Sequence, residues 1–481
     1  MIKIDIYSSH AYLSGIGVKR AATINDACSY PVDGAWFTPS YQEGNWDGKR
    51  RLMKLTKRGY KVPSGLVTSV VSVIDAHEWP REIVDHRDGA FACSYGWKTD
   101  MVLRPYQQRA VDAVLGQEVV PLRSILRLPI RSGKTFVAAA IIREVGQRAI
   151  FICNTGQIFS QTVKLFEKCF GKEVVGQVGG DTYDPRQVTV ATIQKLASLP
   201  SKTLNKLLGG FGLSILDEVH HYAKGEKWRD TILGCDIPFR IGISATVWLD
   251  KSKANRSENI WLRGVCGPIV YTTTTSALIK AGYLAKPHIF MVKSKPPKGM
   301  LLSLLEKAKY QTVYKVGIAE NRLRNRIIAD IIKLVAPYGL STFVICTRKA
   351  QMKQINDLCE VPSMPIHGGT PQSKREAIFA DLESGRIKAA IGTVIGEGVD
   401  VPFVNVVINA EGGKDEVSTI QRMRNLTPEG ADKLAIFIDF YDEFEPRLEG
   451  HSNARMAVYS SEQEFVTHGI VEINEILDLF S

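Results

Sequence analysis

From about residue 100 onward, short apolar runs alternate with helical stretches, a pattern that few folds accommodate. The first series of runs comprises Ile125–Leu128, Ala149–Cys153, Val188–Ala191, Leu213–Leu216 and Ile241–Ser244. Runs that are apolar on both faces and separated by helices are what a parallel, doubly wound sheet requires. This part of the chain is therefore predicted to form an α/β domain.

A second series of the same kind predicts a second α/β domain. It comprises Thr342–Cys346, Ala389–Gly392, Asn405–Asn409 and Leu434–Asp439. Between the two series lies Lys293–Gly299, a lysine- and proline-containing stretch that is the best linker candidate. The length of 481 residues is enough for two to four domains. We expect α/β domains at 99–290 and 311–445, a linker at 291–310 and a helical tail at 446–481.

Residues 1–98 are predicted to form a small α+β domain. Met1–Tyr7 alternates like a strand, and Val67–Ile74 is typical of a short apolar helix or strand. Asp47-Gly48 predicts a hairpin turn. The turn leads into a basic segment (residues 49–61) that holds seven basic residues and no acidic one: Lys49, Arg50, Arg51, Lys54, Lys57, Arg58 and Lys61.

The basic segment has two interpretations. One is a solvated, lysine-rich pair of strands. The other is a nucleic-acid contact, because Trp46 and Tyr60 flank the segment, and aromatic rings beside clustered Arg and Lys suit stacking and phosphate contacts. We favour the second, since the formal net charge of +11 and the pI of about 9.1 also point to a polyanionic partner.

Composition excludes several other classes of protein. No run of about 18 apolar residues is present, so no membrane-spanning helix is expected. The N-terminus lacks the apolar core of a signal peptide. The eight cysteines include no Cys-x-x-Cys pair, which argues against a zinc cluster or a disulfide framework. We therefore expect a cytoplasmic protein.

The residues after Ile125–Leu128 predict a phosphate-binding loop. The strand runs into Pro129-Ile130-Arg131-Ser132-Gly133-Lys134-Thr135, and a helical stretch follows. Loop amides and a helix N-terminus in this order form a cradle for phosphate. We expect Lys134 to reach the β- and γ-phosphates of ATP and Thr135 to ligate Mg²⁺.

Two adjacent carboxylates end another predicted strand. Asp217 and Glu218 follow Leu213–Leu216, at the edge of a doubly wound sheet where nucleotides bind. Asp217 is expected to hold Mg²⁺ through water, and Glu218 to orient and deprotonate the attacking water. The alternative is an ordinary helix cap, which is common for either residue alone.

Taken in order, these segments resemble motifs of superfamily 2 helicases. Gly133-Lys134-Thr135 resembles motif I, Asp217-Glu218-Val219-His220 resembles motif II, and Ser244-Ala245-Thr246 resembles motif III. The segment Leu103–Gln107 resembles the adenine-side motif that precedes motif I. In the second domain, the segments His367-Gly368-Gly369, Gly392-Thr393 and Gly396–Pro402 resemble motif V with its preceding elements. Motif VI is expected at Gln421–Arg424. The resemblance covers about residues 100–445. The basic N-terminal domain is similar to that of phage UvsW-type branch-migrating DNA helicases.

The resemblance implies two tandem RecA-like domains and an ATP-dependent DNA helicase that remodels forks or junctions in replication, recombination or repair. ATP with Mg²⁺ would bind between the two domains, which would close on ATP and open after hydrolysis. Branched or duplex DNA would be held through phosphates without sequence preference. We expect a monomer, in the host cytoplasm if the chain is phage-encoded.

The resemblance also implies roles for individual residues. Contacts to ATP are expected from Arg104, Gln107, Arg131, Ser132, Gly133, Lys134, Thr135, Gly398 and Asp400. Contacts to DNA phosphates, beyond the basic segment, are expected from Thr155, Thr192 and Thr393. Coupling between the nucleotide and DNA sites is expected from Ser244, Thr246 and Gln421. His220 and His221 are interpreted as coupling or packing residues rather than metal ligands.

The phosphate-binding loop departs from the family pattern at two positions. Leu128 stands where the leading glycine is usual, and Arg131 replaces the glycine before the serine. Arg131 has two equally weighted interpretations: it contacts the γ-phosphate or it points outward.

Motif VI departs further. Asn425 and Pro428 stand at the two arginine-finger positions. Because a finger contributes about 10³–10⁵ in rate, either Arg422 or Arg424 replaces it or hydrolysis is slow, and we favour Arg424. The alternatives for the whole chain are an RNA helicase and a nucleic-acid-binding protein with a vestigial ATPase.

Overall fold

The structure is a computed structural model that describes all residues except 90, 225, 246–256, 300–301, 393–402, 415–418, 420–421, 424–433 and 481. The chain divides into two compact units, Met1–Thr273 and Thr274–Ser481. The first unit contains a small α+β domain followed by an α/β domain, and the second unit is another α/β domain. The predicted fold class is therefore confirmed.

The N-terminal domain is built on a five-stranded sheet of order β5-β6-β2-β1-β7. Its strands, with the separate β3–β4 pair, are β1 (Ile2–Ile6), β2 (His10–Ser14), β3 (Ser29–Pro31), β4 (Lys49–Arg51), β5 (Lys54–Thr56), β6 (Gly59–Pro63) and β7 (Arg81–Asp85). Its helices are α1 (Val18–Ala27), α2 (Pro39–Gln42) and α3 (Val67–Ala76). Every second residue of β1 is buried, and Ile2, Ile4 and Ile6 share a core with α1 and α3.

The predicted hairpin turn at Asp47-Gly48 is wrong. Strands β3 and β4 are antiparallel partners joined by the long connection 32–48, and Asp47-Gly48 is only its last part. The tight turn is Lys57-Arg58, which joins β5 to β6 inside the basic segment. The predicted apolar segment at Val67–Ile74 is a helix, α3.

The α/β domain of the first unit contains an eight-stranded sheet of order β11-β10-β12-β9-β13-β14-β8-β15. Its strands are β8 (Arg123–Arg127), β9 (Ala149–Cys153), β10 (Val175–Gly179), β11 (Thr182–Asp184), β12 (Val188–Thr192), β13 (Leu213–Asp217), β14 (Phe239–Ser244) and β15 (Ile269–Thr272). All neighbouring strands are parallel except β10 and β11.

Helices cover both faces of this sheet, as the apolar runs predict. Phe151 and Cys153 of β9 pack into one core cluster, whereas Ile150 and Ile152 pack into the cluster on the opposite face. The helices are α4 (Pro105–Leu115), α5 (Lys134–Val145), α6 (Gly156–Phe170), α7 (Ile193–Ser198), α8 (Ser201–Leu208), α9 (His220–Lys224), α10 (Glu226–Leu233) and α11 (Ser257–Cys266). A side chain on either face of a central strand is therefore buried, which explains why these strands lack polar alternation.

The N-terminal domain is fixed onto this α/β domain. Gly65 packs so closely on α11 that a Cβ there would lie 2.1 Å from the Arg263 carbonyl oxygen. The buried guanidinium of Arg123 donates to the carbonyl oxygens of Ser8, in the N-terminal domain, and of Val265, at 3.2 Å. Ile260 of α11 belongs to the apolar core of the N-terminal domain. Residues of both domains therefore pack together in the apolar core of the N-terminal domain.

The second unit contains a seven-stranded, all-parallel sheet of order β18-β19-β17-β20-β21-β16-β22. Its strands are β16 (Pro287–Lys293), β17 (Thr342–Ile345), β18 (Ser363–Ile366), β19 (Ala389–Gly392), β20 (Val406–Asn409), β21 (Ala435–Tyr441) and β22 (Val466–Val471). Its helices are α12 (Thr275–Lys280), α13 (Leu302–Lys307), α14 (Tyr310–Tyr314), α15 (Arg322–Val335), α16 (Lys349–Leu358), α17 (Gln372–Glu383) and α18 (Pro446–Ser460).

Two domain boundaries differ from those expected. The units divide at Thr273, not at residue 290, because β16 pairs with β21 in the second sheet. The expected tail, 446–481, is not an appendage: β22 pairs with β16, and Arg455 of α18 is buried with its Nε 2.7 Å from Asp439 Oδ2. No helix in the described parts of the chain is long and apolar enough to span a membrane.

Candidate active site

The loop between β8 and α5 bends through two left-handed residues. Arg131 has a φ of 66° and Gly133 a φ of 75°, and α5 begins at Lys134. Such turns gather successive backbone N–H groups toward an anion. Gly133, at the N-cap, has no side chain that could cap the first turn. Glycine adopts the left-handed conformation freely, whereas Arg131 does so at a cost of about 1–2 kcal/mol.

Helix α4 braces this loop through Gln107 and Tyr106. Gln107 Nε2 donates to the Ser132 carbonyl oxygen at 2.9 Å, and the Tyr106 hydroxyl donates to the same oxygen at 2.7 Å. Gln107 Oε1 accepts from the backbone N–H of Arg104 at 2.9 Å. A Cβ at Gly133 would lie 2.5 Å from Gln107 Nε2 and would displace that amide, and the left-handed φ at this position also favours glycine. Gln107 therefore sets the shape of the loop.

One of the two predicted carboxylates, Glu218, pairs with Lys134. Asp217 ends β13, and Glu218 follows it with a left-handed φ of 44°. Lys134 Nζ lies 2.5 Å from Glu218 Oε1, although the two residues are far apart in sequence. Asp217 and Glu218 are both buried. The structure therefore brings Glu218 to Lys134, with Asp217 preceding Glu218 at the end of β13.

A serine on the neighbouring strand joins this group. Ser244, at the end of β14, donates from Oγ to Glu218 Oε2 at 2.8 Å, and His220 Nδ1 lies 2.9 Å from the same hydroxyl oxygen. His220 Nδ1 is also 3.5 Å from Glu218 Oε2. The motif resemblance implies a coupling role for Ser244, but no pattern in the sequence predicts its hydrogen bond to Glu218. Thr246, its expected companion, lies outside the described residues.

Glu218 is held in its charged form. Burial raises its pKa, but the Lys134 ammonium, His220 and the hydrogen bonds from Lys134 and Ser244 lower it more, so the pKa is below the usual value for glutamate. The carboxylate is therefore ionised throughout the neutral range.

This set of groups fits a nucleoside triphosphate with Mg²⁺. The left-handed loop and the uncapped first turn of α5 supply N–H donors for phosphate, and Lys134 supplies positive charge. The Thr135 hydroxyl and the Asp217 carboxylate are oxygen ligands of the kind that Mg²⁺ prefers. Thr135 stands in the first turn of α5 and Asp217 at the carboxyl end of β13, where the sheet edge receives a nucleotide.

Two of the three threonines expected to contact DNA cap helices in the first unit. Thr155 accepts from the backbone N–H of Ile158 at 3.3 Å and begins α6, and Thr192 accepts from that of Lys195 at 3.4 Å and begins α7. Gln194 Nε2 donates to the Asn154 carbonyl oxygen at 2.6 Å and so ties the two helix starts together. The two positions therefore share one edge of the sheet.

Only part of the expected site in the second unit is described. Arg422 Nε lies 2.7 Å from Glu411 Oε2, and Arg422 Nη1 donates to the Gly412 carbonyl oxygen at 3.3 Å. A cleft of about 440 Å³ opens beside these groups and is also lined by Tyr314 and Arg348. The remaining expected residues lie outside the described parts of the chain: Thr393, Gly398, Asp400, Gln421 and Arg424.

The basic segment makes several contacts within its own domain. Lys49 Nζ lies 2.5 Å from Asp26 Oδ1, and Arg51 pairs with Asp47 and lowers its pKa to about 2. The Arg58 guanidinium lies 4.9 Å from the ring centroid of Tyr12. The other basic residues of the basic segment, including Arg50, Lys54 and Lys57, lie on or beside β4 and the β5–β6 hairpin.

The aromatic residues that flank the basic segment are not the exposed ones. The Trp46 indole N–H donates to the Lys49 carbonyl oxygen at 2.8 Å, and Tyr60 packs against the core of the domain. In the described residues of the N-terminal domain, the exposed aromatic side chains are Trp36, Phe37 and Tyr41, for which the sequence carries no signal. Their spacing carries no periodic pattern, and only their exposure in the folded domain identifies them.

The fold and the site define a class: a nucleoside-triphosphatase with a phosphate-binding loop and an Asp-Glu pair, followed by a second α/β domain. Family models match three parts of the chain. Residues 100–248 match "Type III restriction enzyme, res subunit", residues 325–424 match "Helicase conserved C-terminal domain", and residues 9–83 match "DNA helicase UvsW, N-terminal". The chain is an ATP-dependent helicase that resembles the phage UvsW-type members of superfamily 2.

Individual relatives agree with this assignment. The ATP-dependent DNA helicase uvsW of Enterobacteria phage T4 is 25% identical over 485 residues, which is 95% of this chain and 93% of that protein. A Halobacterium salinarum protein described as "Putative DNA 3'-5' helicase Rad25" is 26% identical over 377 residues, which is 76% of this chain and 58% of that protein. A solved structure of S. cerevisiae Dbp5 bound to RNA and ADP BeF3 is 15% identical with a TM-score of 0.53, and the match covers 78% of this chain and 91% of that one. This last likeness shows the fold, two tandem RecA-like domains.

Proposed function

We propose that this chain is a DNA helicase and translocase that remodels branched DNA by moving the branch point of a fork or four-way junction during replication, recombination or repair. The observation that carries the proposal is the N-terminal domain. Residues 9–83 match the UvsW N-terminal model and belong to the same compact unit as the nucleotide site. The similarity to phage T4 uvsW also extends over nearly the full length of both proteins. Its phage source supports action in the cytoplasm of an infected host.

Each residue of the nucleotide site has a proposed task. ATP hydrolysis supplies the free energy for movement along DNA. Lys134 binds the β- and γ-phosphates, while Thr135 and Asp217 hold Mg²⁺, which neutralises phosphate charge. Glu218 orients the attacking water and accepts its proton.

The ion pair in the structure suggests how Glu218 becomes a base at the right moment. Lys134 has two anionic partners available, Glu218 and the phosphates. When its ammonium turns to phosphate, Glu218 loses the nearby charge that most lowers its pKa, so its affinity for a proton rises. Ser244 Oγ, at 2.8 Å from Glu218 Oε2, keeps the carboxylate oriented during this exchange.

Nucleic-acid contacts are assigned to the helix starts and the basic segment. Thr155 and Thr192 lie at N-termini of helices, where the backbone N–H groups and the helix dipole favour phosphate. Thr393 is assigned the same role by its motif. Because phosphate contacts carry no base information, we expect binding without sequence preference.

The experiment that tests this function is ATP turnover measured with a panel of nucleic acids. The panel contains single-stranded DNA, duplex DNA, a fork, a four-way junction and RNA of matched length. We expect the fork and the junction to stimulate turnover most. Stronger stimulation by RNA would instead identify an RNA helicase, and binding without turnover would identify a vestigial ATPase.

A further inference from the structure

The aromatic loop, residues 32–48, joins β3 to β4 and displays three aromatic side chains to solvent. Trp36 is 57% exposed, Phe37 76% and Tyr41 43%. Burying a side chain of this size gains roughly 25 cal/mol per Å² of apolar surface. Several such rings left exposed within six positions of one loop therefore mark a contact surface.

The loop is preorganised. Its ends are joined by the Val32 N–H, which donates to the Gly48 carbonyl oxygen at 2.8 Å. Trp36 and Phe37 lie on a single 3₁₀ turn, Ala35–Phe37, and their ring centroids are 5.6 Å apart. Gln42 Nε2 donates to the Trp36 carbonyl oxygen at 3.2 Å. Rings held on such a turn bind a ligand without a large cost of ordering the loop.

Charge divides the aromatic loop from the basic segment. The loop carries Asp33 and Glu43, besides Asp47, which is paired with Arg51, and it carries no basic residue, whereas the basic segment begins at the very next position. Phosphates are therefore attracted to the strands but repelled by the loop. The faces of bases carry no net charge, so an aromatic ring stacks on them even where phosphate is repelled. In a continuous duplex those faces are covered by neighbouring base pairs, whereas at an open fork or junction the last base pair of an arm has one uncovered face.

We propose that the aromatic loop stacks on the bases exposed at a DNA branch point, while the basic segment holds the phosphates of an adjoining arm. The inference rests on the proposed function and gives it a source of specificity. Trp36 and Phe37 supply the stacking rings, and the loop's carboxylates disfavour a continuous duplex. Branched DNA is thereby selected by its exposed base faces rather than by its sequence.

The test compares Trp36→Ala/Phe37→Ala with Val18→Ala in the full-length chain. Val18 is 79% exposed in the same domain but lies outside the loop, so it controls for loss of exposed apolar surface. Binding is measured over a salt series to a four-way junction with 2-aminopurine at the branch and to a continuous duplex of equal length. We expect junction affinity to fall on the order of tenfold, with the salt slope and duplex affinity unchanged and the quenching of 2-aminopurine lost.

Trp36→Tyr/Phe37→Tyr keeps two rings and is expected to retain junction binding. If the alanine pair binds and quenches the junction like the parent, the inference is overturned, and the loop is then a contact for another protein. Failure of the proposed function looks different, because the parent itself would then show no junction-stimulated ATP turnover.

A second variant tests the charge argument. Asp33→Asn/Glu43→Gln removes carboxylates from the loop and leaves its rings in place. We expect affinity for the continuous duplex to rise severalfold and the preference for the junction to narrow. An unchanged preference would refute the role of the carboxylates in selecting branched DNA.

Discussion

The buried pair of Lys134 and Glu218 ties substrate binding to catalysis. Removing one partner of such a pair usually costs 3–5 kcal/mol, because the other charge stays buried without compensation. Glu218 retains Ser244 as a hydrogen-bond donor if Lys134 is lost. Substitutions at the two positions should therefore have different consequences.

Lys134→Ala is expected to abolish ATP turnover and to leave DNA binding without nucleotide intact. The physical reason is that the ammonium contacts the phosphates of ATP and Glu218, whereas the contacts to DNA lie elsewhere. Steady-state ATPase and binding to labelled DNA measure the two effects. Turnover within about tenfold of the parent would contradict the assignment, since loss of a phosphate-bound ammonium should cost several kcal/mol.

Glu218→Gln should bind ATP but fail to hydrolyse it. The amide keeps the size of the side chain and accepts from Ser244, but it cannot take a proton from water. Single-turnover hydrolysis beside an ATP-binding assay separates the two steps. If affinity for ATP fell while hydrolysis of bound ATP stayed normal, Glu218 would be a structural residue.

The surrogate for the motif VI finger is tested by two single changes. Arg422 is engaged by Glu411 and the Gly412 carbonyl, which supports Arg424 as the residue that reaches ATP. We expect Arg424→Ala to slow ATP turnover at least about a hundredfold, within the range for fingers, with little change in DNA affinity. Arg422→Ala should have a much smaller effect. The reverse order would assign the finger to Arg422, and no effect from either would favour a vestigial ATPase.

Among elements, the β5–β6 hairpin shows where charge is displayed. Lys54 and Lys57 are exposed on it, on one strand and at the turn. Counterions released from DNA by each such lysine make binding depend steeply on salt. Substitutions in the hairpin therefore test the electrostatic contribution to DNA binding apart from the base stacking assigned to the aromatic loop.

Lys54→Gln/Lys57→Gln should weaken DNA binding and flatten its salt dependence. Removing one lysine–phosphate pair reduces the slope of log affinity against log salt by about 0.9. Lys202→Gln/Lys206→Gln on α8, where both lysines are also exposed, is a matched control for net charge. An unchanged slope in the hairpin variant would show that the basic segment is only a solvated surface.

The central strands were predictable because burial on both faces leaves an uninterrupted apolar run. Ala149–Cys153 and Ala389–Gly392 were placed at their observed bounds, and the other predicted strands differ by a few residues at their ends. The edge strand β22 was missed because it is mostly exposed and carries polar residues. The domain boundary was misplaced because Lys293–Gly299 looks like a linker, yet the strand before it belongs to the second sheet.

At the site, the residues that follow each strand could be predicted from the sequence, whereas the contacts between distant residues could not. Gly133-Lys134-Thr135 and Asp217-Glu218 follow apolar strands, so their place at the sheet edge could be derived. The hydrogen bond between Ser244 and Glu218 depends on β14 lying beside β13, and no spacing in the sequence encodes that neighbour. Exposure of Trp36 likewise depends on the whole N-terminal domain.

At the scale of the molecule, the N-terminal domain is not a separable module. Deleting residues 1–98 would expose Ile260 and remove the Ser8 carbonyl from the buried Arg123. Loss of stability would then obscure any effect on DNA binding. Point changes in the basic segment and the aromatic loop are therefore better tests than truncation.

Gly65→Val should lower the melting temperature of the full chain by several degrees. The new side chain would overlap the Arg263 carbonyl oxygen, since even its Cβ would lie 2.1 Å away. Gly96→Val is the control, because a Cβ at Gly96 has nothing within 4 Å. Calorimetry on both variants measures the difference. Equal melting temperatures would mean that the two domains of the first unit do not share a core.

The shared core also fixes the distances between surface features of the first unit. Because the aromatic loop and the helix starts at Thr155 and Thr192 belong to one compact unit, the distance between these DNA contacts is set by the fold and not by a tether. A protein with a flexibly tethered domain would protect DNA from nuclease cleavage over a variable length. This one should protect a constant length of DNA, with one sharp border at the branch point, whichever sequence lies beneath it.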